Sequence, residues 1–226
     1  MKGYFITFEG LEGAGKSTQA KRLFESLVAH GYPCLLTSEP GGTPIGEAIR
    51  AILGNVEFKD MVPLTELYLF SASRAQHVEK VIKPSIEEGK IIICDRFCDA
   101  TLAYQGFGRG VPENLIRETN SRASWNVRPD LTFYLDIEPT KGMTRVSQRI
   151  QELEIPADRI EKEKIEFFER VREGYLYIAR EEPNRVKVLD ATMEYDDLAA
   201  KIFDIVHGIL VRMKFKDGLQ IEAPIE

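Results

Sequence analysis

Four residues at fixed spacing, Gly10, Gly15, Lys16 and Ser17, spell G-x-x-x-x-G-K-[ST] within the stretch GLEGAGKST. Glycines at these positions let backbone N–H groups turn toward one point. A helix starting directly after them adds the positive end of its dipole, so the stretch reads as a phosphate cradle. Lys16 reaches the β- and γ-phosphates of a bound nucleotide, and the Ser17 hydroxyl can ligate Mg²⁺. Gly13, Ala14 and Thr18 complete the nucleotide-binding loop. Glu12 is the unexpected member, a negative charge inside a loop built for anions.

The elements around the loop agree with this reading. The apolar run Tyr4 to Phe8 before it is strand-like, and Ala20, Leu23, Phe24, Leu27 and Val28 behind it recur at helical spacing. Further strands are expected at Pro33 to Thr37, Ile91 to Cys94, Leu131 to Leu135 and Val186 to Leu189. Helical patterns lie between them: Pro44 to Leu53, a long stretch from Leu64 to Glu88, a segment near Thr101, and Pro112 to Ser124. This alternation predicts an α/β fold, a three-layer sandwich in which a parallel five-stranded sheet carries helices on both faces. No repeat, low-complexity tract or linker interrupts residues 1–210, which read as one domain.

In such sheets ligands sit outside the carboxyl ends of the strands. The first strand runs into the phosphate loop, the second into Ser38-Glu39-Pro40-Gly41-Gly42-Thr43 and the third into Asp95-Arg96. Asp95 follows four apolar residues, the place where a P-loop protein keeps a Mg²⁺-associated acid. The same pair also fits a buried ion pair closing a strand. Phe70 and Arg74 share one helix face by their i, i+4 spacing. From spacing alone, Phe70 equally fits a core stripe with Leu67 and Leu69, and Arg74 equally fits a surface ion pair.

Composition limits the partners. A chain of 226 residues with a formal net charge of −6 lacks the basic balance of a duplex-DNA binder, so a small ligand and no nucleic acid are expected. No apolar run is long enough for a membrane span, which predicts no membrane partner and a cytoplasmic location. Cys34, Cys94 and Cys98 are odd in number and lack zinc-like spacing, so incidental or buried thiols are expected. His30, His77 and His207 are widely separated and read as solvated helix or loop positions.

Taken together, FEGLEGAGKST, SEPGGTPIGEAIR, LYLFSASRAQHVEKVIKPSIEEGKIIICDRF, ATLAYQGFGRG and DRIEKEKIEFFERVREGYL resemble the bacterial-type thymidylate kinases over about residues 3–210. The resemblance implies transfer of the γ-phosphoryl of ATP to the 5′-phosphate of dTMP, giving dTDP for DNA precursor synthesis, with Mg²⁺ and as a homodimer. It implies that Arg50 and Arg96 hold the acceptor phosphate, that Phe70 stacks on thymine, and that Arg74 reaches its O4. Thr101 would meet the base edge, with Glu39, Pro40 and Gln105 completing the acceptor site. Glu12 would accept a hydrogen bond from the 3′-hydroxyl, although a pair with a nearby arginine or a solvent-facing position fits it too. Tyr104 would lie where a ribose 2′-hydroxyl falls.

The resemblance also sets the expected chemistry. Lys16, Asp95 and Arg96 would act on the phosphates, and because the phosphate loop holds no arginine, a catalytic arginine is expected in a mobile lid at about residues 144–159. Arg149 is the first choice there, with Arg145 one turn earlier and Arg159 opening the next helix. The stretch QELEIPAD departs from a compact Arg- and Gly-rich lid. Residues 211–226 read as an extension past the last helix. Two rival functions are another nucleoside monophosphate kinase, which would carry a different base pocket, and a switch GTPase, whose Asn-Lys-x-Asp and Asp-x-x-Gly motifs are absent.

Overall fold

The computed structural model describes residues 3–154 and 156–216. Five strands, β1 (Tyr4–Glu9), β2 (Cys34–Ser38), β3 (Ile91–Asp95), β4 (Leu131–Asp136) and β5 (Val186–Asp190), form one sheet in the order β2-β3-β1-β4-β5. Every pairing is parallel. Helices α1 (Lys16–Ala29), α2 (Pro44–Gly54), α3 (Pro63–His77), α4 (Lys83–Glu87), α5 (Cys98–Thr101), α6 (Glu113–Ser124), α7 (Pro139–Leu153), α8 (Ile165–Glu181) and α9 (Tyr195–Lys216) connect and cover it.

Both faces of the central strands are packed, which is why β1 and β3 read as unbroken apolar runs. Phe5, Ile92 and Cys94 point to one side with Val78, Ile82 and Phe97, whereas Ile6, Phe8, Ile91 and Ile93 join the larger core on the other. Each fully buried side chain of this size contributes about 1.5–3 kcal/mol. The buried threonines here are partnered: the hydroxyls of Thr7 on β1 and Thr132 on β4 lie 2.7 Å apart, and Thr132 also accepts from Arg185 Nη1 at 2.7 Å.

Register brings the strand ends level. Phe8 pairs with Asp95, and Asp95 with Ser38, so the segments leaving β1, β2 and β3 emerge side by side. Immediately after β1 the backbone takes φ of 140° at Gly10, 75° at Gly13 and 86° at Gly15, values that a side chain opposes. A Cβ on Gly13 would stand 2.2 Å from the carbonyl oxygen of Gly142. The loop therefore lies directly on the first turn of α7.

Three expectations need correction. The helix expected from Leu64 to Glu88 is interrupted by a wider π-helical turn, Val78–Ile82, between α3 and α4. Pro84 follows it; lacking an N–H and crowding the carbonyl four residues back, proline is accommodated by such a turn. A second π-helical segment, Leu102–Gly108, carries Tyr104 and Gln105. Arg159 does not open a helix: α7 runs to Leu153, Glu154 turns at φ 51°, and α8 begins only at Ile165. The last helix does not stop near residue 210, because α9 continues to Lys216; residues 217–226 of the expected extension lie outside the described residues.

Candidate active site

A cavity of about 1100 Å³ opens at the carboxyl ends of β1, β2 and β3. Its wall contains Glu12, Gly13, Gly15, Lys16, Ser17 and Thr18 from the phosphate loop and the start of α1. Glu39, Pro40 and Arg50 come from the segment after β2, Phe70 and Arg74 from α3, Asp95 and Arg96 from the end of β3, and Thr101, Tyr104 and Gln105 from the helical turns beyond. Arg145 and Arg149 reach it from α7. Of the residues expected from sequence, Gly10 and Ala14 lie beneath this surface, both buried.

Lys16 is buried and donates to the Leu11 carbonyl at 2.7 Å. Burial, together with the Arg96 charge, pulls its pKa down to about 8. Ser17 Oγ donates a short hydrogen bond to Asp95 Oδ2. Asp95 Oδ1 is buried with no hydrogen-bond partner among the described residues.

Glu12 faces Arg96. Arg96 Nη2 donates to Glu12 Oε1 at 2.7 Å, and the Tyr104 hydroxyl donates to Glu12 Oε2, also at 2.7 Å. Arg96 further contacts the Tyr104 hydroxyl (3.0 Å) and the Tyr175 hydroxyl (3.1 Å), and its guanidinium lies 4.8 Å from the Tyr104 ring centre. Burial works against its charge, but the oxygens of Tyr104, Tyr175, Glu12 and Asp95 outweigh burial and hold its pKa well above the ordinary arginine value. Arg96 sits at φ 72°, a costly conformation for a non-glycine residue. Glu9 over-determines it: Glu9 Oε1 accepts from Phe97 N at 2.7 Å and Glu9 Oε2 accepts from the Tyr175 hydroxyl at 2.8 Å.

Arg74 is almost wholly buried. Nε donates to Glu39 Oε2 (2.8 Å), Nη1 to Thr101 Oγ1 (2.9 Å) and Asn120 Oδ1 (2.8 Å), and Nη2 to the Phe97 carbonyl (3.0 Å). The surface ion pair open to it from sequence is thereby replaced by an internal network. Both Glu39 oxygens are engaged, the second by His77 Nδ1 at 2.9 Å, so Glu39 braces Arg74. His77 is a correction: it is fully buried, with Nε2 against Thr37 Oγ1 at 2.7 Å, because α3 turns it inward toward the end of β2. Phe70 is half-buried and belongs to the cavity wall, outside both core clusters. Arg50 is exposed and touches only the Pro40 carbonyl, at 3.3 Å.

The three arginines near the expected lid differ. Arg149 is half-exposed and paired with Glu161. Arg145 Nη1 donates to Gly13 O (3.3 Å) and Ala191 O (2.9 Å), with its guanidinium 5.9 Å from the Tyr195 ring centre. Arg159 is buried, bound to Leu53 O (3.0 Å) and Glu66 Oε2 (2.5 Å), and is absent from the cavity wall.

A family model described as thymidylate kinase matches residues 8–202. Similar curated proteins include a thymidylate kinase of Geobacter sulfurreducens, 47% identical over 90% of this chain and 96% of that protein. Another from Trichlorobacter lovleyi is 48% identical over 89% and 96%. The chain belongs to the thymidylate kinase family. A thymidylate kinase crystal structure from Ehrlichia chaffeensis superimposes with a TM-score of 0.72 at 36% identity, covering 91% of this chain and 99% of that one.

Within this thymidylate kinase family member, several residues around the site escape sequence reasoning. Glu9 carries a signal, a charge ending an apolar strand, and Glu66 stands one turn before Phe70 on the α3 face that also bears Arg74. Tyr175, Asn120 and Arg109 carry none, since their partners are distant in sequence. The thiols are free; burial pushes Cys34 up to about 11 and Cys98 up to about 12, so neither is a reactive thiolate.

Proposed function

We propose that Lys16, Asp95, Arg96 and Arg149 serve phosphoryl transfer in this cavity, with Arg50, Phe70, Arg74, Thr101, Tyr104 and Gln105 receiving the acceptor. As a member of the thymidylate kinase family the protein is a dTMP kinase: it moves the γ-phosphoryl of ATP to dTMP, giving dTDP. The observation that carries the assignment of roles is that Lys16, Arg96 and Arg50 all line the same cavity. Phosphoryl transfer needs two anionic groups held in line while charge between them is neutralised, and one cation cannot serve both. Lys16 in the cradle serves the donor; Arg96 and Arg50 serve the acceptor phosphate.

Glu12 answers to the acceptor sugar. With Arg96 beside it the carboxylate is tolerated next to phosphates, and a 3′-hydroxyl is a donor that it can accept. Tyr104, packed and only 4% exposed, closes the space where a 2′-hydroxyl would project.

Ser17 and Asp95 fit a Mg²⁺ ion: both offer hard oxygen donors, and the unpartnered Asp95 Oδ1 has capacity for one more bond. Bound there, Mg²⁺ would neutralise charge on the donor phosphates. We read residues 1–210 as one kinase domain with the lid near 144–159. Homodimerisation is supported by α2 and α3, which pack together and leave Ile45, Ile52, Val62, Leu64 and Tyr68 exposed. A cytoplasmic location accords with the finding that no helix among the described residues is long and apolar enough to cross a membrane.

Turnover with ATP against dTMP, dUMP, dCMP, dGMP and UMP tests the reading. dTMP is expected clearly first; another monophosphate in that place would redirect the base-pocket assignments, and mass by light scattering reports the dimer.

A further inference from the structure

Glu66 on α3 is 1% exposed and is not part of the cavity wall. Its Oε1 accepts from Gln105 Nε2 (2.8 Å) and Arg109 Nε (3.1 Å), and its Oε2 from Arg109 Nη2 (3.2 Å) and Arg159 Nη2 (2.5 Å). Burial alone would raise its pKa. The hydrogen bonds and charge of Arg109, with Gln105 and Arg159, outweigh burial and keep it below the ordinary glutamate range.

An ionised carboxylate can only accept hydrogen bonds. Gln105 must therefore turn its amide nitrogen to Glu66, which decides an orientation that the two similar ends of an amide otherwise leave open. Its oxygen, at the other end of the amide, accepts no hydrogen bond among the described residues and is not one of their fully buried unpartnered atoms, and Gln105 itself lines the cavity. Arg74, on the same wall, uses four of a guanidinium's five N–H donors, which leaves one on Nη2.

The wall thus offers one fixed acceptor and one fixed donor to a base. A 4-keto pyrimidine places a carbonyl acceptor next to an N3–H donor and matches both. A 4-amino pyrimidine places an amino donor next to a bare N3 acceptor and opposes both.

We propose that Glu66 is a positioning residue that sets base selectivity at one remove, by locking the Gln105 amide with its oxygen toward the cavity so that 4-keto pyrimidines are taken and 4-amino pyrimidines refused. This rests on the reading of Phe70, Arg74 and Gln105 as the acceptor-base pocket. A glutamine at position 66 would both donate and accept, and Gln105 could then turn its –NH₂ to the cavity and meet the N3 of cytosine.

The test is kcat/KM for dTMP and for dCMP in the intact enzyme, its Glu66→Gln and Gln105→Leu variants, and the double variant. Glu66→Gln is expected to lower the dTMP-to-dCMP ratio by about tenfold or more, mainly through KM. In the Gln105→Leu background the same change should leave the ratio where it is, because the amide it orients is gone. An unchanged ratio in Glu66→Gln, or equal falls in both backgrounds, would overturn the proposal and leave Glu66 a residue of the fold. If Glu66→Gln does not fold, Glu66→Asp, which keeps the charge but withdraws it from Gln105, must shift the ratio in the same direction; no shift counts against the proposal. A wild-type enzyme without preference for dTMP would instead refute the base-pocket reading.

Discussion

Arg96 and Glu12 hold each other across the mouth of the phosphate loop, Nη2 to Oε1 at 2.7 Å, with both side chains largely shielded from solvent. On the proposed roles, an entering monophosphate would compete for the arginine, and its sugar hydroxyl for the carboxylate. Removing one member of such a shielded pair costs about 2–5 kcal/mol because the other is left unpaired. Arg96→Ala is therefore expected to lower kcat/KM for dTMP by about 10³ or more, whereas Glu12→Gln should raise KM for dTMP more than it lowers kcat. Steady-state kinetics on the two variants checks this, and equal small effects would refute the division of roles.

Lys16→Ala should reduce kcat by about 10³ or more without unfolding the protein, since the loop is shaped by backbone and the lost group is a point charge at the transferring phosphoryl. The lysine's pKa of about 8 has two further consequences. In the free enzyme the cation is lost as pH rises through 8, so kcat/KM for ATP should fall above that point. Stability moves oppositely: the folded pKa lies below the unfolded value, and between about 8 and 10.5 the unfolded chain holds more protons, so this group favours folding increasingly as pH rises through that window.

Glu9 titrates with the reverse sense. Burial, with Asp99 nearby, pushes its pKa up to about 8 from 4.5, so between those values the folded protein binds the extra proton and stability falls as pH rises. Glu9→Gln, which resembles the protonated acid, should flatten that decline and stabilise the fold at pH 8 by on the order of 1 kcal/mol or more. Denaturant melts at pH 5 and pH 8 would show it; parallel pH dependence in the two proteins would contradict it.

Arg149 is half-exposed and is held by Glu161 alone among the described residues, which suits a side chain that exchanges solvent for the transferring phosphoryl. Arg149→Ala should lower kcat by about 10³ with little change in KM for dTMP. Arg145, bound to Gly13 and Ala191 carbonyls, should act mainly on KM for ATP. A chief effect of Arg149 on KM would move it to the binding group.

Tyr104 is fixed by Glu12 and Arg96 at its hydroxyl and by edge contacts with Phe167 and Tyr175 around its ring, at centroid distances of 6.1 and 6.2 Å. A wall so held cannot yield cheaply to an added hydroxyl. Tyr104→Ala should narrow the preference for dTMP over its ribonucleotide analogue, read as the ratio of their kcat/KM values; an unchanged ratio removes Tyr104 from sugar selection.

Local chemistry explains what was legible beforehand. Gly10, Gly13 and Gly15 adopt positive φ between a strand and a helix, a requirement visible in residue type and spacing alone. Ile91 to Cys94, a short unbroken apolar run, reads as a buried parallel strand and is one, between β2 and β1. The π-helical turns were hidden because nothing in the apolar pattern of α3 records one extra residue per turn. His77 was misread because its partners, Thr37 and Glu39, lie about forty positions earlier. For the same reason the link from Arg159 to Glu66, 93 residues apart, left a buried structural arginine looking like a lid cation.

The contact of Gly13 with Gly142 reaches beyond steric fit. A Cβ on either glycine would meet backbone of the other segment, at 2.2 Å from Gly142 O or 2.7 Å from Glu12 O, so the root of α7 cannot lift without dragging the phosphate loop. Its far end at Leu153 lies eleven residues on, roughly 16 Å along the axis. Any swing of that end is a lever motion with its fulcrum at the donor phosphates, and one helix should show two amide-exchange regimes, slow near Val146 and fast near Leu153. Nucleotide seated in the loop would then stiffen the far end of α7 through its root as well as through any direct contact.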